Sequence, residues 1–180
     1  MNIFDAKKII ILGNGGSGKS WIAERIAEIT NYPCYHLDHE LWKQNWVRVT
    51  EEEESEWHDE VLAGENWIIE GNYSGTIERR FAAADLIIFL DINQIVCILS
   101  AMKRRGRTRS ELQLQTTKST IFNKESLQFI KWQWNFRKSK KLKILALCDK
   151  YPKNIFLHIK SRRDANKLLT TWRNHNENRK

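Results

Sequence analysis

The 180-residue sequence has little of what clips small domains together. Its three cysteines, Cys34, Cys97 and Cys148, are scattered and odd in number, and no C-x-x-C pair occurs. A disulfide framework and a zinc site are therefore disfavoured, and the cysteines are expected as reduced, mostly buried thiols. No apolar run approaches the ~18 residues of a membrane span. The first strand-like segment begins within a few residues of the N-terminus, too soon for a secretory leader, so a cytoplasmic protein is expected. Repeats, low-complexity tracts and interdomain linkers are missing as well. One domain over 1–180 is expected, a length that buries about 70% of the surface exposed by the unfolded chain. Helix-turn-helix, zinc-finger and RNA-binding signatures are absent.

What is present is charge and one complete motif. The formal net charge of +8 points to anionic partners, but a protein that binds ATP and a second anion needs basic groups anyway. Gly13-Asn14-Gly15-Gly16-Ser17-Gly18-Lys19-Ser20 fits G-x-x-x-x-G-K-[ST], with the apolar β-branched run Lys8-Ile9-Ile10-Ile11-Leu12 before it. After it, Trp21 to Ile29 repeats apolar residues at helical spacing. Strand, glycine-rich loop and helix together predict a phosphate cradle built of backbone N–H groups and a helix N-terminus. Lys19 is expected over the β- and γ-phosphates. The Ser20 hydroxyl is expected on Mg²⁺, an ion that prefers oxygen ligands.

Further along, Cys34 to Leu37 reads as a second strand ending in Asp38-His39-Glu40, and acids at a strand's carboxyl end are candidates for chemistry. Thr50-Glu51-Glu52-Glu53 is a capping box opening a helix to about Ala63, so the acidic run there reads as structural. A third strand is predicted in Trp67–Tyr73, ending in the Glu70 carboxylate and a glycine turn, a fourth at Leu86–Asp91, ending in another carboxylate, and the last at Asn154–Ile159. Helices are predicted from Asn93 to Arg105, over roughly 124–150, and from the Ser161 cap to about Trp172. Alternating strands and helices imply a parallel sheet covered on both faces.

Phosphoryl transfer requires positioned phosphates, neutralised charge and an oriented acceptor. Glu70 or Asp91 could be the carboxylate near the metal. Asp38 could accept an acceptor hydroxyl's proton or orient the acceptor. Lys103 to Arg109 is the densest basic patch, and Arg107 or Arg109 is expected to touch phosphate from a lid around 103–122. Phe129, Trp132 and Phe136 form an aromatic stripe that reads as core more readily than as a base-stacking surface.

With the P-loop, Tyr35-His36-Leu37-Asp38, Trp67 to Thr76, Arg80 to Asp91 and Phe129-Ile130-Lys131-Trp132-Gln133-Trp134-Asn135-Phe136-Arg137 in hand, the chain resembles the DNA topology modulation (FlaR-type) proteins. These look like small P-loop kinases related to adenylate and shikimate kinases. The resemblance runs from Lys8 to about Leu169. It implies an α/β P-loop NTPase three-layer sandwich of nucleoside-monophosphate-kinase type. It also implies ATP and Mg²⁺ at Lys19 and Ser20, Glu70 on metal-bound water, Asp38 near metal or acceptor, and Arg80 on the acceptor side. Arg109 falls in the lid, and Ser161-Arg162 in a loop similar to the adenine-facing loop. Trp21 departs from the pattern, standing where such loops often carry a second threonine. Ser110 to Phe122 departs too, lacking the usual Pro and Cys.

The expectation is thus an ATP-dependent kinase with Lys19, Asp38, Arg107 and Arg109 catalytic and Asp38, Asn72, Tyr73 and Arg80 holding a small acceptor. A nucleotide is favoured over a sugar-like hydroxyl compound because an arginine suits an anion. Two rivals remain. One is a nucleic-acid-binding ATPase or regulator using the lid and the Arg137-Lys138-Ser139-Lys140-Lys141 patch, and the other is a catalytically silent nucleotide-binding partner protein.

Overall fold

Ile9, Ile10, Ile11 and Leu12 are apolar in succession, and such a run is satisfied as a strand only when both of its faces are covered. The computed structural model describes residues 2–104, 134 and 140–178. In chain order its strands are β1 (Lys8–Gly13), β2 (Cys34–His36), β3 (Trp42–Lys43), β4 (Val47–Arg48), β5 (Trp67–Glu70), β6 (Leu86–Leu90) and β7 (Ile155–Ile159). The helices are α1 (Lys19–Thr30), α2 (Leu37–Glu40), α3 (Glu51–Ala63), α4 (Ile77–Ala83), α5 (Gln94–Arg104), α6 (residues 140–150) and α7 (Arg162–Glu177).

Five strands make one sheet in the order β2-β5-β1-β6-β7, and each neighbouring pair is parallel. Alternation along β1 feeds two cores. Ile9 and Ile11 pack with Ile22 and Ile26 of α1 and Leu169 and Trp172 of α7, while Ile10 and Leu12 pack with Leu37, Phe81, Ile144 and Leu147. Each fully buried isoleucine contributes about 1.5–3 kcal/mol over an exposed one, which anchors the middle strand on which the loop rests.

Local signals set the helix ends. Thr50 and Glu53 form the reciprocal capping box at α3, and the Ser161 hydroxyl accepts from the Asp164 amide at the start of α7. Three differences from the sequence reading matter. β2 stops at His36, because Leu37 turns into the core as the start of α2, so Asp38 sits on a helical turn and not on a strand end. A short antiparallel hairpin, β3–β4, and helix α4 were not anticipated. α7 continues past Trp172 to Glu177. Of the long helix expected over 124–150, Trp134 and residues 140–150 are helical, and its aromatic stripe of Phe129, Trp132 and Phe136 lies outside the described residues.

Candidate functional site

The glycine-rich loop joins β1 to α1 at the carboxyl edge of the sheet. Gly18 caps α1 in a left-handed conformation, φ 98°, and offers no side chain to the first-turn N–H groups, which leaves them suited to an anion. Asn14 organises the loop from within. Its Oδ1 accepts from the Gly15 amide at 2.8 Å, and its carbonyl accepts from the Ser17 amide at 3.1 Å and from Lys19 Nζ at 3.2 Å. At Gly16, φ 82°, a Cβ would stand 2.2 Å from the Cys97 carbonyl oxygen, so α5 backs directly onto the loop. Arg162 donates to the Gly16 carbonyl at 3.2 Å and to Ser100 Oγ at 2.6 Å, which brings the Ser161-Arg162 turn to the same loop.

Glu70 enters from the next strand. It is 4% exposed, and its Oε1 accepts from Ser20 Oγ at 2.8 Å and from His36 Nδ1 at 2.9 Å. The His36 Nε2 lies 3.9 Å from Cys34 Sγ. Contacts with Cys34 and then Glu70 hold His36 up to about 10. Burial opposes ionisation of Glu70, but the His36 hydrogen bond, the Lys19 charge and the Ser20 hydroxyl outweigh it and keep the carboxyl below its ordinary value. His36 was not singled out from sequence, although Cys34 and His36 share one strand face and His36 pairs in register with Glu70. Asp91, the other strand-end acid, lies beyond β1 on the far side. It accepts from Lys141 Nζ at 2.5 Å and from His158 Nε2 at 2.9 Å.

The turn after β5 carries two residues expected on the acceptor side. Arg80 is fully buried, donating through Nη1 to the Gly71 carbonyl at 2.8 Å and through Nη2 to those of Asn72 at 3.2 Å and Tyr73 at 3.0 Å. Burial lowers its pKa, and its guanidinium is turned onto the carbonyls of the turn. Asn72 binds the backbone of Gly13 on both edges of its amide and so splints the P-loop. Asp38 and Tyr73 are brought together. Tyr73 OH donates to Asp38 Oδ1 at 2.9 Å and accepts from Trp42 Nε1 at 2.6 Å, with Asp38 itself exposed.

Arg107, Arg109 and the expected lid beyond Arg104 lie outside the described residues. In the second basic patch, Lys140 and Lys141 are turned inward, onto Ser74 Oγ and Asp91. Among the described residues no helix is long and apolar enough to cross a membrane.

No family model and no curated protein matches the chain. Among solved structures it is similar to shikimate kinase from Acinetobacter baumannii in complex with shikimate, at 13% identity and a TM-score of 0.54, with 93% of each chain covered. It is likewise similar to shikimate kinase from Bacteroides thetaiotaomicron, at 14% identity and a TM-score of 0.53, over 96% of this chain and 99% of that one. Likeness at this identity is likeness of fold. With the parallel sheet order and the glycine-rich loop it gives the chain the α/β P-loop NTPase fold, in the form that small kinases of nucleoside-monophosphate-kinase type share.

Proposed function

We propose that residues 1–180 form one P-loop kinase domain that transfers the γ-phosphoryl of ATP to a hydroxyl of a small acceptor. The observation that carries this reading is the 2.8 Å contact between Ser20 and Glu70 beside Lys19. It places a hydroxyl and a carboxylate, oxygen donors of the kind Mg²⁺ takes, at the mouth of an anion-ready loop. Ser20 would hold the metal directly and Glu70 through water, and bound Mg²⁺ would supply charge neutralisation across the phosphates. Gly13 to Ser20 wrap the nucleotide's phosphates, and the Ser161-Arg162 turn, tied to the loop at Gly16, faces the adenine.

Lys19 stabilises charge on the phosphoryl oxygens as the bond to the ADP oxygen breaks and the bond to the acceptor oxygen forms. Asp38, held by Tyr73, takes the proton that the acceptor hydroxyl loses. The three backbone carbonyls that Arg80 serves weaken the case for an anionic nucleotide acceptor and favour a neutral hydroxyl compound at Asp38. The similar A. baumannii protein, a shikimate kinase, is a precedent for a small-molecule acceptor on this fold. Arg107 and Arg109 remain proposed lid contacts to phosphate.

The test is ADP release from ATP and Mg²⁺ across a panel of hydroxylated metabolites and nucleoside monophosphates. The expected result is stimulation by a hydroxyl compound, abolished in Lys19→Ala with the melting temperature retained. ATP binding without turnover across the panel overturns the kinase reading in favour of a silent nucleotide-binding protein. DNA binding that survives Lys19→Ala and falls steeply with salt favours the topology-modulating regulator.

A further inference from the structure

Tyr73 lies between two side chains that leave its hydroxyl one arrangement. An indole N–H only donates, so the Tyr73 oxygen, 2.6 Å from Trp42 Nε1, must accept there. Its single hydrogen then goes to Asp38 Oδ1 at 2.9 Å, which as a carboxylate only accepts. Burial and the neighbouring Asp38 charge hold the phenol up to about 12, so Tyr73 stays a donor through neutral pH. Trp42 reaches this position on the β3–β4 hairpin, where it pairs in register with Arg48. The Arg48 guanidinium stands 5.8 Å from the Tyr73 ring centroid and is tied at 2.7 Å to Glu54. A hairpin outside the main sheet thus delivers two groups to one tyrosine.

We propose that Trp42 is a positioning residue of the acceptor site, directing the Tyr73 hydroxyl onto Asp38 Oδ1 so that one carboxylate oxygen is anchored and the other takes the acceptor's proton. This rests on the kinase reading. Without the indole N–H, the phenol can turn toward other acceptors, and Asp38 loses its fixed orientation.

The test combines a spectroscopic signature with turnover. In protein carrying ¹⁵N-labelled indoles, the Trp42 cross-peak is the one lost in Trp42→Phe. It is expected to shift in Tyr73→Phe and also in Asp38→Asn, the second change being passed on by the Tyr73 hydroxyl that bonds both, and to stay put in the remote Glu28→Gln. A Trp42 cross-peak indifferent to Asp38→Asn overturns the relay, whatever the enzyme's activity. With the hydroxyl compound that gives the greatest ADP release, Trp42→Phe is expected to lower kcat about tenfold with KM for ATP unchanged. Unchanged kcat overturns the positioning role. If no panel member releases ADP, the kinase reading falls with the catalytic role built on it, and the indole shifts decide the relay alone.

Discussion

Asn72 closes a two-point hydrogen-bonded ring with the backbone of Gly13, donating through Nδ2 to the carbonyl at 2.8 Å and accepting from the amide at 3.2 Å. The ring ties the turn after β5 to the first residue of the P-loop. Because Arg80 holds the same turn from below and Tyr73 reaches Asp38 from it, residues 71–73 link the glycine-rich loop to Asp38.

Replacing Asn72 with Ala removes both bonds, together about 1–3 kcal/mol of loop organisation. ATP-analogue affinity measured by calorimetry is expected to fall roughly tenfold, and Asn72→Asp to do worse, since it sets a carboxylate oxygen against the Gly13 carbonyl. Undiminished affinity in both variants would show that the loop holds its shape unaided.

Arg80 serves three backbone carbonyls from one planar fork. Arg80→Met is expected to cost about 2–4 kcal/mol in urea unfolding, because the carbonyls lose their donors inside the protein. Arg80→Lys should recover little, as one ammonium lacks the fork geometry. A fully stable Met variant with raised acceptor KM would instead return Arg80 to the acceptor side.

His36 gives the fold a pH dependence of definite sign. Its folded pKa, about 10, lies above its ordinary 6.5, so its stabilisation is complete below pH 6.5 and is lost as pH rises through 10. Urea midpoints of the wild type should decline across that interval, and His36→Gln should lose this part of the slope. Parallel curves for the two proteins would refute the assignment.

At Gly16, a methyl group would meet the Cys97 carbonyl at 2.2 Å and sit at φ 82°, where an L-residue adds roughly 1–2 kcal/mol of strain. Gly16→Ala is expected to lower the melting temperature and to weaken ATP binding by pushing the loop off α5. Gly75→Ala, with nothing within 4 Å of its added Cβ, is the matched control and should change neither. Equal behaviour of the two variants would remove α5 from the account of the loop.

Short-range chemistry made much of this molecule readable in advance. Ile9 to Leu12 declared a doubly covered strand, Thr50 with Glu53 and Ser161 with Asp164 declared helix starts, and the glycine pattern declared the turn that joins β1 to α1. Each rests on a period or spacing of a few residues, and that information is local. The hairpin at Trp42–Arg48 escaped because two-residue strands carry no period, and the turn at Leu37 because a buried contact overrode the strand pattern.

The partners of Glu70, Arg80, Asn72 and Tyr73 belong to another order of information. Ser20 and Glu70 stand fifty positions apart, Asn72 and Gly13 fifty-nine, and only the placing of β5 beside β1 makes them neighbours. An arginine's chemistry is the same on a surface or beneath a turn. Whether it greets a ligand or holds up backbone carbonyls depends on which side of it the packed layers leave open.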